Sequence, residues 1–158
     1  MRIFTPLLAA VTVLAASTSA QALTAKQTIQ KETAIINENG ASEMVRSSAD
    51  VIVPGERIVY TLNYTNDDNV AASDIVLTMP IPKEVTFVEG SADTPGAPVS
   101  YSADDGQTFS TRQSLMVIDS TGDIRAAGAA DLTHVRWVIT GPVNAGTDGE
   151  LAFSAVVK

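Results

Sequence analysis

One stretch of alternating residues near the middle of the chain decides the fold: Arg57-Ile58-Val59-Tyr60-Thr61-Leu62-Asn63-Tyr64-Thr65. Positions 58, 60, 62 and 64 are aliphatic or aromatic, whereas the positions between them are polar except for Val59. Successive side chains of a β-strand point to opposite faces, so this period of two predicts a strand with one buried face. We expect the first set to lie in a core and the second set, which includes Thr61, to face solvent.

The rest of the chain repeats this pattern in short apolar runs that are separated by turn-forming residues. Proline has no N–H to donate to a strand ladder, so Pro80 and Pro82 end one of these runs. Many short strands with frequent turn signals are typical of an all-β sandwich. We expect antiparallel strands at 75–79, 85–88, 99–101, 115–118, 135–139 and 151–157 in addition to 57–65, and about seven to nine strands in total.

Two segments have weaker patterns. In residues 26–39, isoleucine and threonine stand among helix-tolerant residues, and we interpret this segment as an edge strand. With the connector that follows it, it makes up the N-terminal region, residues 23–49. Residues 121–131 are rich in alanine and glycine, and we interpret them as a loop. The sandwich domain itself is expected over residues 50–158.

The first 22 residues have the three parts of a secretory signal peptide. Arg2 provides the positive charge, residues 6–16 form an apolar run, and Ala20-Gln21-Ala22 resembles a cleavage site. The apolar run is shorter than the roughly 20 residues that a membrane-spanning helix needs. We expect cleavage after Ala22, or alternatively after Ala20, and no transmembrane span in the mature chain. The expected location is the periplasm, the cell surface or the extracellular space.

Composition limits the partners that the protein can have. The 158 residues correspond to one domain by length, and they carry a net charge of −8 with no cysteine. An acidic surface repels nucleic-acid phosphates, so binding to nucleic acid is not expected. The lack of cysteine excludes disulfides and a lipid-modified cysteine. We expect a protein partner, or self-association, at the cell envelope.

Few residues could support catalysis. The chain has one histidine, His134, and no cysteine, so a transition-metal site built from histidine and cysteine is excluded. His134 alternates with Val135 and Trp137, which predicts that it lies on the solvent face beside Arg136. Nucleophilic catalysis needs a nucleophile, a base and an orienting group together, and the sequence shows no such motif. We therefore expect no enzyme, no catalytic residue and no required cofactor.

Acidic turns provide the only candidate metal ligands. Carboxylates in turns are common ligands of Ca²⁺, but the spacing here does not match an Asp-x-Asp-x-Asp-Gly loop. Aspartate in a turn often binds its own backbone instead. Calcium therefore remains an alternative to a structural role for the four candidates, Asp104, Asp105, Asp119 and Asp123.

Residues 54–66 begin with a Pro-Gly turn and continue as a Tyr-Thr strand that ends in Thr65-Asn66. This pattern resembles the bacterial conserved repeat domain family, also called domain of unknown function eleven. Residues 73–80, 85–88, 101–109 and 134–137 resemble later segments, so the similarity covers roughly 50–157. This chain departs from the family pattern at two points. It has Met79 where the family often has aspartate, and it contains a single copy of a domain that the family often has in tandem. The resemblance implies an immunoglobulin-like sandwich at or beyond the cell envelope, without catalytic residues.

These observations lead to two functional hypotheses. The first is a non-enzymatic exported structural or interaction protein of the envelope or extracellular space. In one form of it, residues 26–39 add a strand to the sheet of a neighbouring copy. The alternative is an accessory domain that binds calcium or carbohydrate for another exported protein. A hydrolase would need two carboxylates brought together, which nothing in the sequence indicates.

Overall fold

The computed structural model describes residues 23–158, so the predicted signal peptide, residues 1–22, lies outside the described residues. Residues 23–158 form ten strands and a single 3₁₀ turn at Ala129–Asp131. The prediction of an all-β, antiparallel fold is confirmed, although with more strands than the expected seven to nine. The strands are β1 (Leu23–Ile36), β2 (Ser42–Ser48), β3 (Arg57–Asn66), β4 (Val76–Pro80), β5 (Val85–Phe87), β6 (Val99–Ser102), β7 (Met116–Ile118), β8 (Ile124–Ala126), β9 (His134–Val138) and β10 (Asp148–Val157).

The strands form two main sheets and one separate hairpin. The larger sheet has the order β2-β1-β3-β10-β5, and the smaller sheet has the order β4-β9-β6. β7 and β8 pair only with each other. All named strand pairs are antiparallel, and one cluster of buried side chains contains residues from both main sheets. The two sheets therefore pack against each other as a β-sandwich.

Aromatic side chains fill the space between the sheets. Tyr60 stacks on Phe153 of the neighbouring strand, with ring centroids 4.9 Å apart. Phe87 of the larger sheet meets Tyr101 of the smaller sheet edge-on at 5.5 Å. Trp137, at the centre of the smaller sheet, is 0 % exposed. The alternating residues of β3 and β9 thus face the core, as the sequence predicts.

The opposite face of β3 differs from the prediction. Val59 and Thr61 are only 1 % and 3 % exposed, so the expectation that this face lies in solvent is wrong at its centre. The reason is position: β3 is the middle strand of five, and Thr61 lies between Thr28 of β1 and Ala152 of β10. Asn63, further along the same face, is exposed as predicted.

The N-terminal strand lies at the sheet edge over only part of its length. β1 pairs with β3 over residues 23–32 and with β2 over residues 30–36. Residues 23–29 of β1 pair, within the described chain, only with β3 and so form part of the sheet edge. Residues 30–32 lie between β3 and β2, so the expected edge strand at 26–39 is interior there, and β2, which was not predicted from the sequence, forms the rest of the edge. A tight turn causes this reversal: the side chain of Asn37 accepts the backbone N–H of Ala41 at 3.0 Å. Residues 23–49 are thus continuous with the larger sheet.

The segment expected to be a loop, residues 121–131, contains regular structure. β8 lies within it and pairs with β7, and the 3₁₀ turn follows. The loop prediction is therefore wrong for these residues. The hairpin closes because the backbone N–H of Asp119 donates to the carbonyl of Asp123 at 2.9 Å and Gly122 adopts a positive φ of 92°. The high alanine and glycine content of this segment gave no signal for β8, a three-residue strand that depends on this turn.

A buried asparagine organises the end of β3. Asn66 is 0 % exposed, and its Nδ2 donates to the carbonyls of Val70 and Val143, each at 2.8 Å. Its Oδ1 accepts the backbone N–H of Asp68 at 3.1 Å. The last residue of the Thr65-Asn66 motif therefore joins two loops that are far apart in the chain.

Candidate functional site

The free edge of the larger sheet is the main candidate for an interaction site. β2 forms this edge alongside residues 30–36 of β1, and all seven of its residues are exposed. β1 extends past the start of β3, because Glu32 pairs with Arg57 while residues 33–36 pair only with β2. The β1–β2 hairpin therefore projects beyond the rest of the sheet.

The alternation of hydrogen-bonded and non-hydrogen-bonded pairs between β1 and β2 shows which backbone groups of β2 point outwards. The N–H of Asn37 donates to the carbonyl of Ala41 at 2.9 Å, and this pair continues the register of Ile36 with Ser42. Hydrogen-bonded and non-hydrogen-bonded pairs alternate in an antiparallel ladder. Counting from Asn37, Met44 and Arg46 belong to non-hydrogen-bonded pairs with β1. Their backbone N–H and C=O groups therefore point away from β1, towards the free edge.

Apolar side chains are exposed on both faces of this hairpin. Ile36 and Met44 lie on one face and are 72 % and 49 % exposed. Ile35 and Val45 lie on the other face and are 44 % and 38 % exposed. Exposed apolar side chains beside an unpaired strand edge are typical of a surface that binds another chain.

An ionic cluster connects the hairpin to the sheet. The side chain of Glu32 is only 11 % exposed, and one of its carboxylate oxygens forms an ion pair with Arg57, 2.8 Å from Nε. Arg46 of β2 lies 3.6 Å from Glu32 and also 3.6 Å from Glu150. Both arginines are about 40 % exposed, and ion pairs that are open to solvent contribute at most about 1 kcal/mol each.

A second ion pair lies at the base of the hairpin. Lys31 Nζ donates to Glu56 at 2.7 Å, and the other oxygen of Glu56 accepts the backbone N–H of Val53 at 2.9 Å. The hydrogen bond from Lys31, followed by that from Val53, lowers the pKa of the Glu56 carboxyl. Glu56 thereby connects β1 to the loop that precedes β3.

The first acidic turn contains Asp104, one of the four predicted metal ligands. Its Oδ1 accepts the hydroxyl of Ser102 at 2.7 Å and the backbone N–H groups of Gln107 and Thr108 at 3.1 and 2.9 Å. Its Oδ2 accepts the Thr108 hydroxyl at 2.5 Å. The hydrogen bond from Ser102, followed by those from Thr108, lowers the pKa of Asp104 to about 2. The carboxylate thus binds its own turn.

Asp104 is expected to make the protein sensitive to acid. Its pKa in the folded protein is about 2, below its ordinary value of 3.8, so its stabilising effect is complete above roughly pH 4 and is lost as the pH falls towards 2. Asp104→Asn should flatten the fall of Tm over this range, because an amide does not titrate. Asp105→Asn, a neighbouring control, should follow the wild type. A wild-type slope in Asp104→Asn would contradict the assignment.

The second acidic turn closes the β7–β8 hairpin. Asp119 Oδ1 accepts the backbone N–H groups of Thr121 and Asp123 at 2.8 and 3.1 Å. The Thr121 hydroxyl lies 2.5 Å from Asp119 Oδ1 and 3.1 Å from Asp123 Oδ2, so it brings these two predicted ligands together. Its hydrogen bond is the main cause of the lowered pKa of Asp119. Asp105, the fourth candidate, is exposed, and its backbone N–H donates to the hydroxyl of Thr133.

His134 covers the first acidic turn. It lies on the outward face of β9 with Arg136, as predicted, and its ring packs over Gly106. Its Nδ1 is 3.2 Å from the Thr133 hydroxyl. The guanidinium of Arg136 lies 3.4 Å from the ring centroid of Phe109, a cation–π contact. These contacts make His134 part of the packing around the turn.

Two features of the surface were not predicted from the sequence. One is the β2 edge, for which the available signal was Asn39-Gly40, because Asn-Gly between strands is a strong hairpin signal. The other is the ion pair of Glu89 with Arg112, where Nη2 and Oε1 are 2.7 Å apart. These two residues are 23 positions apart, and no local pattern indicates their contact.

Within residues 23–158, histidine, aspartate and glutamate side chains nowhere form a group of three suited to a metal ion. In the same part of the chain, no helix has the length and apolar character needed to cross a membrane. Comparison of the chain with protein-family models, curated proteins and solved structures finds no match.

Proposed function

We propose that this chain is a non-enzymatic structural protein, exported to the periplasm, the cell surface or the extracellular space, that associates with a second copy through β2. The signal-like residues 1–22 support export, and the motif resemblance over residues 50–157 supports an immunoglobulin-like envelope domain. A non-enzymatic role is supported by the single histidine, the lack of cysteine and the hydrogen-bonded state of Asp104 and Asp119.

The observation that carries this proposal is the exposed edge of β2. An edge strand presents unpaired N–H and C=O groups that can pair with another strand. Natural proteins often protect such edges with proline, lysine or a covering loop. β2 contains two charged residues, Glu43 and Arg46, but neither proline nor lysine, and every residue of it is exposed. The edge is therefore available for strand addition.

The sequence of β2 is compatible with pairing to itself. A twofold axis through Val45 would match all seven residues of two antiparallel β2 strands. In this register, Met44 lies opposite Arg46 of the partner subunit, so residues with outward backbone groups face each other. Glu43 lies opposite Ser47 of the partner subunit. No like charges are therefore opposite each other, which would otherwise destabilise the pair.

A proline substitution tests this proposal. Met44→Pro removes one outward N–H and adds a ring at the edge, while a proline whose N–H is not needed by β1 can be tolerated in an edge strand. We expect the purified wild-type protein to have at least twice the monomer mass by size-exclusion light scattering at micromolar concentration. The proline variant should have the monomer mass.

Met44→Ala is the matched control, because it removes the same side chain but keeps the N–H. It should remain associated, with weaker affinity. Circular dichroism should show that both variants retain the wild-type strand content. A wild-type protein that is monomeric at all concentrations, or an association that Met44→Pro leaves unchanged, would refute pairing through β2.

A further inference from the structure

A groove separate from β2 lies at the side of the sandwich. It has a volume of about 400 Å³, within the range of roughly 300–1,000 Å³ that is typical of ligand pockets. The segment that follows β5 provides Glu89 and Asp93, and the segment that follows Ser110 provides Arg112. Val99 and Tyr101 of β6 line it between these walls.

The charge of Arg112 is already neutralised. Its Nε lies 3.1 and 3.0 Å from the two oxygens of Glu89, and its Nη2 donates to the same carboxylate at 2.7 Å. Its Nη1 donates to the carbonyl of Ala127 at 2.7 Å. The hydrogen bonds from Arg112 to Glu89 are the main cause of the raised pKa of the guanidinium. Arg112 therefore builds the wall and has little capacity left for an anion.

Asp93 provides a negative charge that forms no ion pair with residues 23–158. It is exposed, and in the part of the chain that the structure describes no lysine, arginine or histidine nitrogen lies within 4.0 Å of its carboxylate. With Glu89 and Arg112, the groove contains two carboxylates and one guanidinium. A cationic ligand is therefore favoured over an anionic one.

The hydroxyl of Tyr101 is a second, independent indication of a ligand. The residue is only 4 % exposed, and its ring packs edge-on against Phe87. Its hydroxyl forms no hydrogen bond with any of residues 23–158 and is accessible from the groove, so it is free to accept one from a ligand. Burial, and then the carboxylates of Asp93 and Glu89, raise the pKa of Tyr101 to about 12. Tyr101, Glu89 and Asp93 line the same groove.

We infer that this groove binds a primary alkylammonium group, whose N–H donors bond to the carboxylate of Asp93 and the hydroxyl oxygen of Tyr101. An ammonium has three donors and one charge, so it satisfies both groups and balances the net charge of the groove. The half-buried Val99 provides an apolar contact for the alkyl chain. The group can come from a free amine or from a lysine side chain of a partner, and this inference does not depend on pairing through β2.

Titration of the purified, ¹⁵N-labelled protein with n-butylammonium chloride tests this inference. At pH 7 and constant ionic strength, we expect saturable shifts of the backbone amide resonances of residues 89–93 and 111–113. Nα-acetyl-lysine amide should shift the same resonances. If the lysine derivative binds more tightly than butylammonium, the natural ligand is a lysine side chain of a partner. If butylammonium binds more tightly, the natural ligand is a free amine.

Two variants and one control ligand make the test specific. Asp93→Asn keeps the size of the side chain and should weaken butylammonium binding by about tenfold or more, since it removes a hydrogen bond to a charged group. Tyr101→Phe should also weaken it, whereas Asp67→Asn, in a distant exposed turn, should not. Tetramethylammonium has no N–H donor and should bind more weakly. Unsaturable shifts, wild-type affinity in Asp93→Asn, or equal binding of tetramethylammonium would overturn the inference.

Discussion

Replacing Trp137 with alanine is expected to reduce the free energy of unfolding by about 3–5 kcal/mol, the range for removing a large buried aromatic side chain. Trp137 is 0 % exposed at the centre of β9, and its Nε1 donates to the carbonyl of Ala92 at 2.9 Å. The alanine variant therefore creates a cavity and also leaves a buried carbonyl without its donor. Urea unfolding, followed by circular dichroism, measures the loss.

Trp137→Phe separates the two effects. Phenylalanine keeps most of the ring volume but cannot donate to Ala92, so we expect a smaller loss of about 1–3 kcal/mol. This variant also keeps the prediction testable if the alanine variant does not fold, because typical domains have only about 5–15 kcal/mol of stability. A loss below about 1 kcal/mol for Trp137→Ala would show that the indole is not part of the core.

The second large effect is expected at the buried amide that ends β3. Asn66→Ala should reduce the free energy of unfolding by about 3 kcal/mol, because the buried carbonyl of Val143 and the carbonyl of Val70 both lose their donor. Chemical denaturation measures this change. The exposed Asn69, three residues later, provides the control: Asn69→Ala should be within about 0.5 kcal/mol of the wild type.

Asn66→Asp tests the same contacts by replacing the amide with a negatively charged carboxylate. Aspartate keeps the acceptor for the N–H of Asp68 but places a carboxylate beside two carbonyl oxygens. It should therefore destabilise the protein at neutral pH and recover part of the loss in acid, where the carboxyl is protonated. Equal stability of Asn66→Asp and wild type at neutral pH would rule out the proposed geometry.

The parts of the fold that depend on local alternation were predictable. Tyr60 and Leu62 on β3, and Val135 and Trp137 on β9, are buried as their spacing indicates. The burial of Thr61 was not predictable, because it depends on the two strands that flank β3. These neighbours come from opposite ends of the chain, and no local window of sequence contains them.

Short strands with polar sequences were missed for a related reason. β8 consists of Ile124-Arg125-Ala126, and only its pairing with β7 makes it a strand. β2 contains Met44 and Val45 between polar residues, and its place in the sheet depends on the turn at Asn37. Strand propensity describes how well a residue fits a pleated surface, so it is weak where that surface is formed by another segment.

The acidic turns show what could be predicted about the site. Aspartate that binds its own turn was the alternative to calcium, and the hydrogen bonds of Asp104 and Asp119 have this form. The groove could not be predicted, because Asp93 and Arg112 are separated in sequence and come together only after β5 and β6 have packed. Residue type and turn chemistry are local, whereas a pocket is a property of the assembled sheets.

The position of β3 between β1 and β10 has a consequence for how the protein folds. Arg57 pairs with Glu32 on one side and with Val156, near the C-terminus, on the other. The larger sheet therefore cannot be completed on a ribosome before β10 has left the exit tunnel. Sequence-distant pairing gives a high contact order, and such β-proteins fold in roughly milliseconds to seconds. A newly made chain thus stays unfolded long enough for other proteins to bind it before it folds.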